Sequence, residues 1–310
     1  MPNIFVAGLA NLETTLRVDG FPIEYQPVNY ASYAISTSVS AVGYNVAKAL
    51  TNLGNAVSFA SLIGRDLAGD IVEQRLLADG IRTAGVLRQL DHTAQSVVMY
   101  DPTGQRRIAT DLKDIQNHHY PEAQARLALA GCELAVLCNI NFARSLLPVA
   151  QALGVPIATD LHVLADLDDE YNRDWLQAAD IIFQSHEGLA ETPEQRAAAI
   201  LARFRAHIVV IGMGNAGSLL AVRDQPIVQI PAATVRSVIN TVGAGDAFFA
   251  SFVHFYLELH DPYAAIERAS VFAAYKIGFN GGAVGLLSRP AFEQVWAEFV
   301  VNRGARRWQA

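Results

Sequence analysis

The stretch that decides the fold is Ile239-Asn240-Thr241-Val242-Gly243-Ala244-Gly245-Asp246-Ala247-Phe248, which continues directly into an apolar segment. Gly243, Ala244 and Gly245 put three small residues where a helix begins, and the first N–H groups of a helix have no partner within it. These bare N–H groups and the helix dipole favour a bound phosphate. The stretch therefore predicts a helix over residues 245–259 whose N-terminus is an anion site.

Asp246 follows the three small residues and lies where a phosphoryl group would be held. An acid next to a bound phosphate is repulsive unless it has a task, and taking the proton from an attacking hydroxyl is such a task. The residues alone allow a second interpretation, in which Asp246 only favours the first helical turn and the glycines only form a tight bend. A catalytic base at Asp246 is therefore a hypothesis at this point.

Residues 241–248 resemble the C-terminal signature of the PfkB/ribokinase family of carbohydrate and nucleoside kinases. Residues 42–54 are similar to the N-terminal signature of that family, and residues 212–217 resemble its nucleotide loop. The resemblance implies an α/β protein with a ribokinase-like three-layer α/β/α fold, a mostly parallel central sheet and a small β-sheet lid.

The same resemblance implies an ATP-dependent kinase that phosphorylates a hydroxymethyl group of a sugar or sugar-containing small molecule. Asp246 would be the general base, and the backbone of Gly243, Ala244 and Gly245 would stabilise the charge on the transferred group. A nucleoside kinase of the same family is one alternative. A non-catalytic relative that binds a sugar or nucleotide is the other.

Composition narrows the class of protein. A chain of 310 residues with 52% hydrophobic and 17% charged positions can bury a large core. The net charge of −7, with only Gln105-Arg106-Arg107 and residues 303–307 as short basic faces exposed to solvent, argues against a nucleic-acid partner. No apolar run reaches the roughly 18 residues of a membrane span, and the apolar N-terminus lacks a basic leader. We therefore expect a cytoplasmic protein without a membrane partner, in which Cys132 and Cys138 are buried reduced thiols.

Short apolar runs alternate with amphipathic segments along most of the chain, which indicates a mostly parallel sheet covered by helices on both faces. The predicted strands cover residues 4–7, 57–63, 134–138, 157–160, 181–183 and 208–211. The predicted helices cover residues 45–53, 69–78, 143–153, 194–205, 245–259, 262–278 and 289–302.

Residues 11–39 and 95–111 break this alternation. Residues 95–100 and 106–110 flank the turn Asp101-Pro102-Thr103-Gly104 and predict a β-hairpin, while residues 30–39 predict a further strand. The two segments would form a small sheet outside a core of residues 1–10, 40–94 and 112–310. In the resembled family such a sheet is a lid that excludes water, and often a dimer interface, which implies a homodimer through the lid. Peripheral decoration is the competing interpretation.

The substrate side departs from the family pattern. The family commonly shows Asn-x-Asp after its first strand, where this chain has Asn11-Leu12-Glu13. The Gly-Gly-x-Gly-x-Asn motif of the family is Ser40-Ala41-Val42-Gly43-Tyr44-Asn45, which adds Cβ atoms at the first two positions. Asn45 could instead cap a helix, and Tyr44 could stack on a sugar or base or simply pack. The predicted substrate contacts are Asn11, Glu13, Gly43, Asn45, Asn141 and Asp246.

Polar residues also follow two predicted strands, where ligands of open α/β sheets bind. Asn139 and Asn141 come after the strand that ends at Cys138. Asp160 and His162 come at the end of the next strand. Each is a candidate for contact with the ligand.

The nucleotide side is more regular. Gly212, Gly214 and Gly217 stand between a predicted strand and the apolar residues 218–220, which predicts a turn between two strands rather than a dinucleotide fingerprint. Asn280-Gly281-Gly282-Ala283 resembles the loop of the family beside the adenine. The predicted nucleotide contacts are Gly212, Gly214, Gly217, Thr241, Asn280 and Gly281.

The expected metal is Mg²⁺, because ATP reacts as its magnesium complex. The family often has Asn-x-x-Glu after a strand, but here Ser185 takes the place of the amide and Glu187 comes one position early. Glu187 is therefore predicted to reach Mg²⁺ through water. The family acid before the C-terminal signature, often linked to a monovalent cation such as K⁺, is Asn240 here, which leaves the use of K⁺ open.

Overall fold

The computed structural model describes residues 1–103 and 105–307 and contains two sheets. The strands are β1 (Asn3–Ala7), β2 (Asn11–Arg17), β3 (Ile35–Ser40), β4 (Ala56–Gly64), β5 (Arg82–Leu90), β6 (Gln95–Tyr100), β7 (Arg106–Asp111), β8 (Leu134–Leu137), β9 (Ile157–Val163), β10 (Ile181–Ser185), β11 (Ile208–Gly212), β12 (Ser218–Val222) and β13 (Val228–Ile230). The helices are α1 (Val42–Asn52), α2 (Leu67–Ala78), α3 (Glu122–Leu129), α4 (Asn141–Arg144), α5 (Leu146–Ala152), α6 (Arg173–Ala178), α7 (Pro193–Arg203), α8 (Ala244–Leu259), α9 (Pro262–Lys276) and α10 (Arg289–Arg307). None of these helices is both long enough and apolar enough to cross a membrane, over the residues described.

The central sheet has nine strands in the order β13-β12-β11-β10-β9-β8-β1-β4-β5. All neighbours are parallel except the β11–β12 and β12–β13 pairs at one edge. Successive residues of β1 point to opposite faces, as the pleat of a strand requires. Ile4 and Val6 join the apolar cluster that includes α1, α8 and α9, whereas Phe5 and Ala7 join the cluster that includes α5, α6 and α7. This is the predicted three-layer arrangement.

The second sheet has four strands in the order β3-β2-β6-β7. Its outer strands pair antiparallel with their neighbours, and β2 runs parallel to β6. The predicted hairpin over residues 95–110 is confirmed as β6–β7, although Gly104 of its predicted turn lies outside the described residues. The predicted strand at residues 30–39 begins only at Ile35.

Several elements of the core differ from the sequence prediction, and the short edge strand β13 is one that was not predicted. Strand β5 was not predicted, because it is an edge strand that mixes Arg, Gln and Gly with its apolar residues. Helices α3 and α6 are short and were also missed. The predicted helix over residues 143–153 is divided at Ser145, whose hydroxyl donates to the carbonyl of Phe142 at 3.1 Å. Pro148 contributes to the division, because it has no N–H to donate to the carbonyl of Arg144. Cys132 and Cys138 are buried and free, as predicted.

Candidate active site

The N-terminus of α8 depends on Gly243. This residue takes a left-handed conformation with φ of 75°, and a Cβ atom there would lie 2.3 Å from the carbonyl oxygen of Gly282. Glycine is therefore required both for the backbone conformation and for the close approach. The N–H of Ala244 donates to the carbonyl of Thr241 at 3.1 Å, so the prediction of a bare N–H at Ala244 is wrong. Within the described part of the chain, the N–H groups of Gly243, Gly245 and Asp246 have no such acceptor.

Asp246 lies in the first turn of α8 and is only 9% exposed. Its Oδ2 accepts a hydrogen bond of 2.7 Å from Nδ2 of Asn45 on α1. Burial raises the pKa of Asp246, although the hydrogen bond from Asn45 opposes the change. The idea that Asn45 is a helix cap is wrong, because Ala41 is the N-cap and Asn45 lies inside α1. The two residues thus join α1 and α8 at one buried carboxylate.

Ala41 introduces α1 in an unusual backbone conformation, with φ of 84° and ψ of 157°. This region is essentially restricted to glycine, because a Cβ atom is crowded there. The sequence comparison with the family motif had marked Ala41 as an alanine in a glycine position. The structure keeps the conformation that glycine would adopt and fits an alanine into it.

Asn11 and Glu13 lie on β2 and meet Ser96 on the neighbouring strand β6. Nδ2 of Asn11 donates to Oγ of Ser96 at 3.0 Å, and this hydroxyl donates to Oε2 of Glu13 at 3.5 Å. Burial raises the pKa of Glu13, against hydrogen bonds from Ser40 and Ser96, and the charge of Asp246 raises it further. The small sheet therefore contributes polar groups to the same site as Asp246.

Three oxygens of this site are buried and have no hydrogen-bond partner among the residues described: Oδ1 of Asn11, Oε1 of Glu13 and Oδ1 of Asn45. Buried polar atoms in folded proteins nearly always have partners, because an unsatisfied one costs about 1–3 kcal/mol. All three atoms are hydrogen-bond acceptors. The site is therefore arranged to receive donors.

Asp160 also belongs to this site. A Cβ atom on Gly245 would lie 3.9 Å from Oδ2 of Asp160, which places this buried carboxylate beside the start of α8. Oδ1 of Asp160 accepts from the N–H of His162 at 2.9 Å, and Nδ1 of His162 lies 3.6 Å from Oδ2. Both residues come from the carboxyl end of β9, as the position of the polar pair in the sequence predicted.

Asn139 and Asn141 are engaged elsewhere. Nδ2 of Asn139 donates to Oδ1 of Asn172 at 3.1 Å. The N–H of Asn141 donates to Oε1 of Gln116 at 3.0 Å, and Oδ1 of Asn141 accepts from Nε of Arg144 at 3.0 Å. The side-chain N–H of Asn141 also donates to the carbonyl of Gln116. The contacts with Gln116 hold α4 to the 3₁₀ turn of residues 115–117, and substrate contact by Asn141 stays a prediction.

Gly43 and Tyr44 both serve packing. A Cβ atom on Gly43 would lie 2.4 Å from the carbonyl carbon of Gly8, so Gly43 lets α1 approach the loop after β1. Tyr44 is 1% exposed, and its hydroxyl donates to Oδ2 of Asp79 at 2.5 Å. The suggestion that Tyr44 offers a stacking surface for a base is therefore wrong. A substrate contact by Gly43 stays a prediction.

The glycines of the nucleotide side lie between antiparallel strands, as predicted. β11 ends at Gly212, a 3₁₀ turn covers Gly214–Ala216, and β12 begins immediately after Gly217. Gly217 has φ of 95°, and a Cβ atom there would lie 2.0 Å from the carbonyl oxygen of Ile230. Gly214 also has positive φ, but its Cβ position faces open space.

Thr241 and Asn280 receive contacts from the hairpin β6–β7. Arg106 donates to Oγ1 of Thr241 at 3.2 Å, and Nδ2 of Asn280 donates to the hydroxyl of Tyr100 at 3.1 Å. The prediction treated Arg106 only as part of a face exposed to solvent. The exposed guanidinium group instead joins the small sheet to the loop in front of α8.

No group of three or more His, Cys, Asp and Glu side chains is arranged for a metal in the described residues. Glu187 is exposed, and its N–H donates to Oγ of Ser185 at 3.1 Å. Asp160 is the buried carboxylate beside the start of α8. A single carboxylate fits Mg²⁺, which retains several waters and binds mainly through substrate phosphates.

Lys276 is a residue that the sequence analysis missed. It ends α9, is completely buried, and donates through Nζ to the carbonyl of Val242. Burial lowers the pKa of Lys276 to about 8, while the carboxylates of Asp246 and Glu13 oppose this change. A lysine in the last turn of a helix usually interacts with the helix dipole at the surface, so its sequence position carried no signal of burial.

The comparisons with known proteins agree with this geometry. The family model described as pfkB family carbohydrate kinase matches residues 1–287. An ATP-dependent ribose-1-phosphate kinase of Halopiger xanaduensis is 26% identical over 284 residues, which cover 91% of this chain and 94% of the relative. A deoxyribokinase of Salmonella typhi is 38% identical over 86 residues, but these are only 28% of this chain and 26% of the relative.

Among solved structures, a microbiome-derived acarbose kinase has a TM-score of 0.87 and 26% sequence identity. The superposition covers 96% of this chain and 99% of that protein. The family model and the superposition therefore both extend over nearly the whole chain. This chain belongs to the pfkB family of carbohydrate kinases and is a kinase.

Proposed function

We propose that the protein transfers the γ-phosphoryl group of ATP to a hydroxymethyl group of a sugar or sugar-containing small molecule. Asp246 accepts the hydroxyl proton as the oxygen attacks phosphorus, and its raised pKa makes the carboxylate a stronger base. Asn45 holds the carboxylate in position through its 2.7 Å hydrogen bond. The N–H groups of Gly243 and Gly245 stabilise the transferred group, and Ala244 contributes a small side chain.

The observation that carries this proposal is the set of three buried acceptor atoms near Asp246. Oδ1 of Asn11, Oε1 of Glu13 and Oδ1 of Asn45 have no donor in the described part of the chain, and sugar hydroxyls are donors. A carboxylate or a phosphate dianion has no proton to offer these atoms, and the charge of Glu13 would repel it. We therefore propose that the part of the substrate beside β2 is a neutral polyol.

ATP would lie along Gly212, Gly214, Gly217, Thr241, Asn280 and Gly281. Its magnesium ion would neutralise phosphate charge. Asp160, beside the start of α8, would be a carboxylate ligand, and Glu187 would reach the ion through water. We propose that the small sheet, β2-β3-β6-β7, acts as a lid. The contacts of Arg106 with Thr241 and of Asn280 with Tyr100 support this role, because they join the sheet to the loops on which ATP would lie.

The lid also exposes apolar side chains, among them Tyr25, Tyr33, Ile35 and Ile108. Exposed apolar side chains are a feature of many interfaces between subunits. We propose a homodimer through the lid, and sedimentation of the wild type as a monomer at all concentrations would refute it. A cytoplasmic location remains a prediction of the sequence.

A nucleoside kinase is the second candidate function, because the ribose of a nucleoside presents the same donors as a free pentose. Its original support, a stacking surface at Tyr44, is absent, since this ring is buried. A non-catalytic binding protein is less well supported, because Asp246 and the glycines at the start of α8 are intact.

The test is ADP release with Mg²⁺ and ATP across neutral pentoses, neutral hexoses, oligosaccharides, sugar phosphates and nucleosides, with Asp246→Asn in parallel. We expect turnover with one neutral sugar class and its loss in the variant. Turnover only with nucleosides would support the second candidate. Turnover that is the same in Asp246→Asn would refute the assigned base, and ATP binding without any turnover would favour the non-catalytic alternative.

A further inference from the structure

A positive charge from the chain itself lies beside residues 240–245, the loop before and at the start of α8 that is called the phosphate-binding loop here because of its proposed role. This charge is the ammonium group of Lys276. Lys276 is completely buried, and its Nζ donates to the carbonyl of Val242, which directly precedes Gly243. A buried ammonium group is costly to keep unless charge and hydrogen bonds compensate for it. The groups that face it electrostatically are the carboxylates of Asp246 and Glu13, with the cation of Arg106 opposing them.

The contact also decides which N–H groups remain bare. Val242 stands four residues before Asp246, so its carbonyl is the one that would accept the Asp246 N–H if the helix began a turn earlier. That carbonyl accepts from Lys276 instead, and the N–H of Asp246 has no such acceptor in the described chain. Lys276 therefore helps to hold the loop in the form that offers N–H groups to an anion.

A potassium ion does not fit this place. Residue 240, where the resembled family has an acid linked to a monovalent cation, is the neutral Asn240. Oδ1 of Asn240 accepts from the N–H of Val242 at 2.7 Å, and its Nδ2 donates to Oδ1 of Asn280 at 2.7 Å. The carbonyl of Val242 is occupied by the ammonium group of Lys276. A second cation would be repelled by that group in a medium of low dielectric constant.

We propose that the ammonium group of Lys276 takes the place of a monovalent cation beside the phosphate-binding loop, so that this kinase does not require potassium. The inference rests on the proposed site of phosphoryl transfer at Asp246. Lys276 acts here as a positioning residue, because it touches the loop and not the reacting atoms.

The experiment uses four proteins: the wild type, Lys276→Met, the double variant Lys276→Met with Asn240→Asp, and Lys48→Met as a control. Lys48 is a mostly buried lysine that contacts Asp79 at 3.4 Å, away from this loop. ADP release and the thermal unfolding midpoint are measured for each protein in KCl and in tetramethylammonium chloride at equal ionic strength.

For the wild type and for Lys48→Met, we expect that neither the rate nor the unfolding midpoint of each protein changes between the two salts. Lys276→Met should lose about a hundredfold in kcat in both salts, as when one electrostatic donor is removed from a transition state. The double variant should recover activity in KCl alone, and its unfolding midpoint should rise in KCl alone. That gain of a potassium response is a result that a merely structural role of Lys276 would not produce.

Potassium activation of the wild type, or a higher wild-type midpoint in KCl, would overturn the inference. An unchanged kcat in Lys276→Met would do the same. If the wild type releases no ADP with any acceptor, the proposed function fails, but the midpoints still test the cation inference. If Lys276→Met does not fold, the response of the wild type to the two salts decides the question.

Discussion

Two polar clusters include neighbouring residues of α1, and they differ in whether their buried atoms have hydrogen-bond partners. Tyr44 enters a cluster with Asp79, Arg75 and Lys48 in which none of the side-chain atoms is buried without a partner. Asn45, the next residue, enters the cluster of Asn11, Glu13 and Asp246, in which three oxygens have none among the described residues. The complete set of partners around Tyr44 is typical of a structural cluster, whereas the three oxygens without partners beside Asp246 support the proposed place for a ligand.

The pKa values follow the same division. Burial alone would raise the pKa of Asp79, but hydrogen bonds from Arg75 and Tyr44 bring it below its usual range. The pKa values of Glu13 and Asp246 are raised, because their burial is not compensated to the same extent. Asp79 thus stabilises the fold in its charged form, while the two site carboxylates cost stability in theirs.

The largest effect should come from Asp246→Asn, which removes the proposed base and keeps the shape of the side chain. We expect kcat to fall about a thousandfold, since a positioned base contributes about 10²- to 10⁴-fold. The KM for ATP should stay close to the wild-type value, and the free energy of unfolding should not fall. Steady-state kinetics and urea unfolding measure these quantities. A loss of stability in the variant would show that Asp246 stabilises the fold in the way that Asp79 does.

Asp79→Asn is the matching change in the complete cluster. We expect the free energy of unfolding to fall by about 2–3 kcal/mol, because Arg75 and Lys48 lose their charged partner and Tyr44 loses an acceptor. The value of kcat should be unchanged at a temperature where the variant is folded. Urea unfolding with parallel kinetics is the measurement, and a selective loss of kcat would contradict the division between the clusters.

Glu13→Gln should impair substrate binding without loss of stability, the reverse of what we expect for Asp79→Asn. The neutral side chain accepts a weaker hydrogen bond from a sugar hydroxyl, so we expect KM for the sugar to rise about tenfold. The unfolding midpoint should be equal to or above that of the wild type, since a buried charge with a raised pKa has been removed. Sugar titrations with Asp79→Asn as the control test this expectation, and a fall in midpoint without a change in KM would disprove it.

The smallest effect concerns pH and Lys276. Its pKa is lowered to about 8 in the folded protein, so the unfolded chain binds more protons above that pH. Stability of the wild type relative to Lys276→Met should therefore rise by about 1 kcal/mol between about pH 7 and about pH 9. Over the same range kcat should decline as the ammonium group loses its proton. Urea unfolding of both proteins at several pH values gives the difference, and parallel curves would show that Lys276 does not titrate there.

The sequence identified residues that lie on the same chain segment or match a known motif. It placed Asp246 at the start of a helix, the small sheet outside the core and the glycines of 212–217 in a turn between strands. It also grouped Asn45 with Asp246, but only through the resemblance to a family, because no local pattern joins positions 201 residues apart. Motif and periodicity thus account for the architecture and for the placing of Asp246, Asn45 and the glycines of the candidate site.

The remaining residues depended on directions and contacts that local patterns do not specify. The predicted helix began at Asn45, whereas α1 begins at Val42, so Tyr44 and Asn45 are helical neighbours about 100° apart and cannot face the same site. The contact of Ala244 with Thr241 depends on the tight turn at Gly243. Lys276 and Arg106 carry charges that look exposed in sequence and meet their partners only in the folded chain.

Ala41 shows that this fold accommodates a residue with a Cβ atom in a backbone conformation that is essentially restricted to glycine. Its φ of 84° and ψ of 157° cost about 1–3 kcal/mol for any residue with a Cβ atom. Asn45, whose side chain contacts Asp246, follows only four positions later on α1, so the strain is borne next to this contact rather than within it. For protein engineering, restoring glycine at position 41 would return that stability as a reserve, which could then offset destabilising substitutions made to change the sugar specificity.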